Sequence, residues 1–136
     1  MNGFNLNKMI ECLLIDDDLD DQEIFKLCVE KLSSSVNFTG ITDSVEAVSS
    51  LSSNSNYTPN YIFLDMNMPK MNGMQCLTSL RQIHRLNHSK IFMYSTTSED
   101  LMVAKSKALG ADNFIVKPAR MAELKEKLIK LFELME

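Results

Sequence analysis

Four places along this 136-residue chain carry side chains that do phosphoryl chemistry only in company. Asp16, Asp17 and Asp18 follow the apolar run IECLLI, Asp65 follows YIFL, Ser95 follows KIFMY, and Lys117 follows NFIV. Like carboxylates a few ångströms apart repel by about 1 kcal/mol in water and about 4 kcal/mol near a protein surface. Grouping them therefore calls for positive charge. Lys117 supplies one charge, and a divalent cation would supply the rest. An all-oxygen donor set with few protein ligands suits Mg²⁺, which keeps several waters. Calcium would want more oxygens, and zinc would want His or Cys. A cation-neutralised carboxylate, an ammonium and a hydroxyl together clamp the equatorial oxygens of a phosphoryl group. Asp65 is then a nucleophile that forms an acyl phosphate.

Each of these residues also has a plainer reading. The run DDDLDD (16–21) would serve as an acidic first turn that caps a helix and favours its dipole. Asp65 would satisfy loop N–H groups, Lys117 would be a solvated lysine, and Ser95 a loop hydroxyl. Their joint placement at successive strand ends favours the chemical reading.

The elements that must position them are legible as alternating patterns. Residues 10–15, 36–41, 61–64, 90–94 and 113–116 have the length of strands, and several are apolar nearly throughout, as strands covered on both faces must be. Between them, Ile24, Leu27, Cys28 and Leu32 recur at helical spacing, as do Val45, Val48 and Leu51, then Met74, Leu77 and Leu80. Asn72-Gly73 marks the turn that starts the third helix. A fourth helix is expected from an N-cap at Ser98 to just before Gly110. A fifth is expected from Pro118, with Met121, Leu124, Leu128 and Leu131 on one side. Strict alternation of five strands and five helices specifies an α/β fold, a parallel sheet with helices on both faces. In such sheets ligands bind beyond the carboxyl ends of the strands. The Ser/Asn-rich segment 49–60 is expected to hold the end of the second helix and a long mobile loop.

Composition sets limits. Hydrophobic residues at 45% and charged ones at 24% are ordinary globular values. A net charge of −4 disfavours a nucleic-acid-binding module. No stretch approaches the roughly 18 consecutive apolar residues of a membrane span, and MNGFNLNKM lacks the cationic start and apolar run of a signal peptide. A cytoplasmic location with no membrane partner is expected. Cys12, Cys28 and Cys76 are widely spaced within apolar segments, so they read as reduced core residues. His84 and His88 are expected to be exposed near the end of the third helix, with no catalytic part. The ten methionines are mostly core fillers, with Met66 and Met68 beside Asp65 able to shape access.

The motifs LLIDDD, FLDMNMPKMNG, MYST and NFIVKP closely resemble those of the receiver domain of bacterial two-component response regulators, over about residues 9 to 135. The resemblance implies a flavodoxin-like sheet of order 2-1-3-4-5, with residues 1–8 a short arm and 9–136 the receiver domain, similar to the single-domain chemotaxis type. It implies that Asp65 is the phosphoacceptor, that Asp17 binds Mg²⁺ directly and Asp16 through water, and that Asn67 offers its backbone carbonyl to the metal. By the same resemblance Ser95 is the switch hydroxyl, Lys117 the phosphate-binding lysine, Phe114 the aromatic switch position, and Lys117-Pro118 a cis peptide. Ser95 stands where Thr is commoner, Phe114 where Tyr is, and Ala119 where an aromatic is. The segment between Asp16 and Asp65 is a few residues longer than the family usually has. Hydrolysis in this family depends on the positions of Asn67 and Thr97. Thr97 carries no carboxylate or carboxamide to place a water, which implies a relatively long-lived phosphoryl group.

The implied function is a phosphoryl-accepting switch rather than an enzyme with a separate substrate. The implied donor is a sensor histidine kinase or a histidine phosphotransfer protein, and the output is protein binding through the face made by the fourth helix, fifth strand and fifth helix. Two rivals are disfavoured. A phosphatase of the haloacid dehalogenase type usually wants a second Asp where Asn67 stands, together with a cap insertion. An unphosphorylated binding module would usually have lost Asp65 or Lys117.

Overall fold

The computed structural model describes residues 9–33 and 35–134, so the expected arm 1–8 lies outside the described residues. Five strands, β1 (Ile10–Ile15), β2 (Val36–Ile41), β3 (Tyr61–Asp65), β4 (Lys90–Ser95) and β5 (Asn113–Val116), alternate with α1 (Leu19–Leu32), α2 (Ser44–Ser53), α3 (Gly73–Leu80), α4 (Asp100–Ala108) and α5 (Met121–Leu134). All pairings are parallel and the sheet order is β2-β1-β3-β4-β5. The strands match the expected segments, with β3 and β4 each one residue longer, so that Asp65 and Ser95 still belong to the ladder.

Successive strand residues point to opposite faces, and each face is buried under helices. Cys12, Leu14, Phe63, Phe92 and Ile115 pack with Phe25 and Cys28 of α1 and with Leu124, Leu128 and Phe132 of α5. Leu13, Ile15, Ile62, Leu64, Ile91 and Met93 pack with Ala47 and Leu51 of α2 and with Met74, Cys76, Leu77 and Leu80 of α3. Phe25 is the hub of the first layer, its ring 4.9 Å from Phe63 and 5.5 Å from Tyr94 in edge-on contacts. All three cysteines are free and buried, as expected.

Several sequence expectations are corrected. The buried face of α1 is Phe25, Cys28 and Val29, whereas Ile24 and Leu27 are exposed. In α2 the buried residues are Ser44, Ala47 and Leu51, and Val45 faces out. The N-cap of α4 is Glu99, whose carbonyl accepts from the Val103 N–H, and no side chain caps this helix. α5 begins at Met121 rather than at Pro118. The Lys117 N–H still donates to the Ser95 carbonyl at 2.7 Å, so the chain stays extended there and turns only afterwards. No cis peptide occurs among the described residues, so the Lys117-Pro118 bond is trans, the form a tertiary amide itself favours.

The segment 54–60 is tied down. Arg85 donates from Nε to the Tyr57 carbonyl and Thr58 Oγ1 and from its terminal nitrogen to the Leu51 carbonyl, while Ser89 Oγ donates to the Pro59 carbonyl at 2.6 Å. His84 starts a single 3-10 turn, His84–Leu86, beyond the end of α3, and both it and His88 are exposed. Met66 and Met68 are both buried in the core on the α2–α3 side.

Candidate functional site

The strand register brings the polar ends together. Ile15 pairs with Leu64, so Asp16 and Asp65 each stand one residue beyond a matched pair; Ser95 pairs with Val116, so Lys117 follows directly. Asp16 and Ser95 are fully buried and Asp65 nearly so. The carboxylates of Asp16, Asp17 and Asp65 each offer an oxygen within 4.8 Å of the others. Asp18 does not join them. As the N-cap of α1 its side chain accepts from the Asp20 and Asp21 N–H groups at 2.9 and 3.1 Å.

Two backbone arrangements fix these ends. The Asp18 N–H donates to Asp16 Oδ1 at 3.0 Å, turning that carboxylate back over the loop. Gln22 Nε2 donates to the carbonyls of Leu14, Asp16 and Ile41, lashing the ends of β1 and β2 to α1. After Asp65 the chain reverses through Lys70, at φ 66°, and the Gly73 N–H returns to the Met66 carbonyl at 2.8 Å. Asn72 and Gln75 then cap α3 reciprocally, each side chain accepting from the other's backbone N–H at 3.0 and 2.9 Å. Gly73 sits so close that a Cβ there would lie 2.7 Å from Met66 Cα and press on the Asp65 carbonyl.

Lys117 enters this acidic group from β5. Its ammonium lies 2.8 Å from Asp16 Oδ2, 3.4 Å from Asp65 Oδ1 and 2.7 Å from Asp21 Oδ2, and 5.6 Å from the centroid of the Tyr94 ring. Burial would lower the ammonium's pKa, but its bonds to Asp16 and Asp21 and the fields of Asp16 and Asp65 outweigh this and hold it above the ordinary lysine value. The Asp65 carboxyl is pushed up to about 6, first by burial and then by the field of Asp16, against the pull of Lys117. Asp16 is raised as well, chiefly by burial.

Asp21 is the residue that sequence reasoning missed. Its place in an acidic first turn already had a sufficient explanation, and only the tertiary pairing with Lys117, 96 positions away, reveals the second one. Of the other expected site residues, Asn67 is exposed in the loop after β3 and Thr97 in the loop after β4, its N–H 3.4 Å from Ser95 Oγ. Phe114 is half-buried on β5, opposite Met93 and against the α2–α3 side of the core. Ala119 is exposed on the rim of a cavity of about 150 Å³ that it shares with Asp21, Ile24, Tyr94 and Met121.

Residues 12–129 match the response regulator receiver domain family. The chain belongs to that family. Receiver domains of two-component response regulators are signalling modules, and the fold agrees across this match. The chemotaxis protein CheY-3 of Vibrio cholerae is 28% identical over 128 residues, 94% of this chain and 95% of that one. Among solved structures, the phosphorylated cyanobacterial phytochrome response regulator RcpA superposes with a TM-score of 0.82 at 20% identity, covering 92% of each chain. The CheY of Borrelia burgdorferi, solved with CheX, BeF3 and Mg²⁺, superposes with a TM-score of 0.78 at 23% identity, covering 95% of this receiver domain and 93% of that chain. No helix among the described residues is long and apolar enough to cross a membrane.

Proposed function

We propose that this receiver domain accepts a phosphoryl group on Asp65, with Mg²⁺ held by the neighbouring acids, and that the modification alters a protein-binding surface. The convergence of Asp16, Asp17, Asp65 and Lys117 carries the reading. Three carboxylates face one another there, and Lys117 is shared with a fourth, Asp21. Buried like charges of this density are costly unless a cation offsets them. The donor set is all oxygen, which fits a hard divalent ion. Asp16, Asp17 and Asp65 would hold it, with the Asn67 carbonyl available in the adjoining loop. Bound there, Mg²⁺ would supply charge neutralisation at the oxygens of the transferring group.

The chain's own part is positioning. The ladder fixes the Asp65 carboxylate at the end of β3. One of its oxygens bonds phosphorus as the bond from phosphorus to the donor nitrogen breaks, and the leaving imidazole takes a proton. Lys117 meets the charge on the phosphoryl oxygens, and Ser95, buried at the end of β4, offers its hydroxyl to one of them. Phe114 responds to that shift by packing. Thr97 and Asn67 set how well a water is placed for hydrolysis, and the exposed Thr97 hydroxyl reaches such a water poorly.

The donor is a phosphohistidine of a sensor kinase or phosphotransfer protein, and the α4–β5–α5 face serves the downstream protein. No separate substrate is turned over. In the test, the protein is incubated with acetyl phosphate and Mg²⁺ and its intact mass is measured. One added phosphoryl group is expected, absent when Mg²⁺ is chelated and absent in Asp65→Asn. An undiminished adduct in that variant would place the acceptor elsewhere.

A further inference from the structure

We infer that Asp21 is a positioning residue that keeps Lys117 partnered while the acidic group takes up a cation. The inference rests on the metal reading above and assigns a part to a side chain outside the proposed ligand set. The Lys117 ammonium has three N–H donors and faces three carboxylates: Asp21 at 2.7 Å, Asp16 at 2.8 Å and Asp65 at 3.4 Å. A divalent cation held by these acids would meet that ammonium as a like charge, and Lys117 would have to yield at least its 2.8 Å ion-pair contact with Asp16 Oδ2, an atom that accepts no hydrogen bond of good geometry.

The Lys117 side chain is only 9% exposed, so it cannot exchange that contact freely for water. A buried charge left without a partner is costly. Asp21 removes the conflict. It stands in the first turn of α1, at the outer edge of the group and 31% exposed, clear of the oxygens of Asp16, Asp17 and Asp65 that face one another. Its bond to Lys117 survives when Asp16 turns to the cation. Without Asp21, Lys117 keeps a partner only by holding Asp16 or Asp65, in competition with the metal.

Replacing Asp21 should therefore weaken Mg²⁺ binding by more than its formal charge explains. Asp20, one residue earlier and exposed, provides the comparison, because Asp20→Asn removes the same charge from the same helical turn. The full-length protein is titrated with Mg²⁺ and followed by backbone amide NMR shifts. Asp21→Asn is expected to raise the dissociation constant about fivefold, the scale of one charge–charge contact screened by water, and Asp20→Asn by less than about twofold. In a Lys117→Gln background the Asp21→Asn effect should fall to that of Asp20→Asn, since the competitor is gone. A merely structural role would keep its effect in that background. Equal losses for the two single variants, or an Asp21→Asn loss that persists without Lys117, would overturn the inference while leaving the metal site standing. A wild-type protein showing no Mg²⁺-dependent shifts would overturn both.

Discussion

Asp65 is held in a state that the fold itself resists. Its carboxyl is pushed up to about 6 by burial and by Asp16, so folding takes a carboxylate from water into a place where the charged form is disfavoured. A carboxyl whose folded pKa lies above its unfolded value weakens the fold at every pH above both values. The penalty fades as pH falls through about 6 toward the ordinary carboxylate range. Asp65→Asn should therefore stabilise the metal-free protein at pH 8, by about 1 to 3 kcal/mol for a shift of this size. The gain should shrink steadily between pH 6 and pH 4. Urea denaturation in the presence of a chelator, at several pH values, measures it. No gain at pH 8 would show that the Lys117 ion pair already offsets the buried charge, and a gain independent of pH would show that it does not come from ionisation of Asp65. That Asp16, Asp65, Ser95 and Lys117 would meet at one end of the sheet was legible in the sequence, because each stands at the end of an apolar run. Asp21 was not, because an acidic residue in a first helical turn has a local reason to be there, and nothing local reports a lysine arriving from β5.

At the scale of elements, β3 and α3 are built as one piece around Asp65. The Gly73 N–H bonds the Met66 carbonyl, Asn72 and Gln75 cap α3, and the missing side chain of Gly73 lets the helix start directly against the backbone of Asp65 and Met66. Gly73→Ala drives a methyl to 2.7 Å from Met66 Cα, a contact that only backbone movement relieves. A stability loss of about 2 kcal/mol is expected, in the range for overpacking. The displaced Asp65 should also take up phosphoryl groups from acetyl phosphate about tenfold more slowly, since small misplacements at reacting centres are costly. Thermal melting and intact-mass time courses read the two effects; a fully active, destabilised variant would show that the helix start does not set the position of Asp65. Asn72-Gly73 could be read from the sequence because the turn chemistry is local. The faces of α1 and α2 were legible only in part, through Cys28, Leu32, Val48 and Leu51, because two overlapping sets of apolar residues both fit helical spacing. Phe25, Cys28 and Val29 are buried, while Ile24 and Leu27 are left outside, and only the neighbouring α5 and the sheet decide between them. The start of α5 was misread for a similar reason, since the bond from the Lys117 N–H to the Ser95 carbonyl belongs to the sheet and overrides the helix-starting preference of Pro118.

Across the whole molecule, anchoring is uneven, and on the proposed function the least anchored helix is where a change at Asp65 should register first. α3 buries Met74, Cys76, Leu77 and Leu80, and α5 buries Leu124, Leu128 and Phe132. α4 fully buries only Ser106, exposes 77% of Leu101, and has no side-chain cap at its start. It lies beside β5, an edge strand, and touches the core through half-buried Met102 and Leu109 near Phe114. The loop into α4 begins right after Ser95, and the Thr97 N–H reaches Ser95 Oγ only at 3.4 Å. On the proposed function, a Ser95 hydroxyl drawn to a phosphoryl oxygen would give up this weak bond and release the loop that leads into the least anchored of the described helices. Segments with few buried contacts open at low free energy. Amide hydrogen exchange in the unphosphorylated protein should therefore be at least about tenfold faster in α4 than in α3 or the buried turns of α5. Treatment with acetyl phosphate and Mg²⁺ should change exchange most in residues 96–108 and around Phe114, and least in α2. Phe114→Ala should leave the phosphoryl adduct intact and uncouple the exchange of α4 from it. A response centred on α2, or an α4 as protected as α3, would mean that the signal leaves by the opposite edge of the sheet.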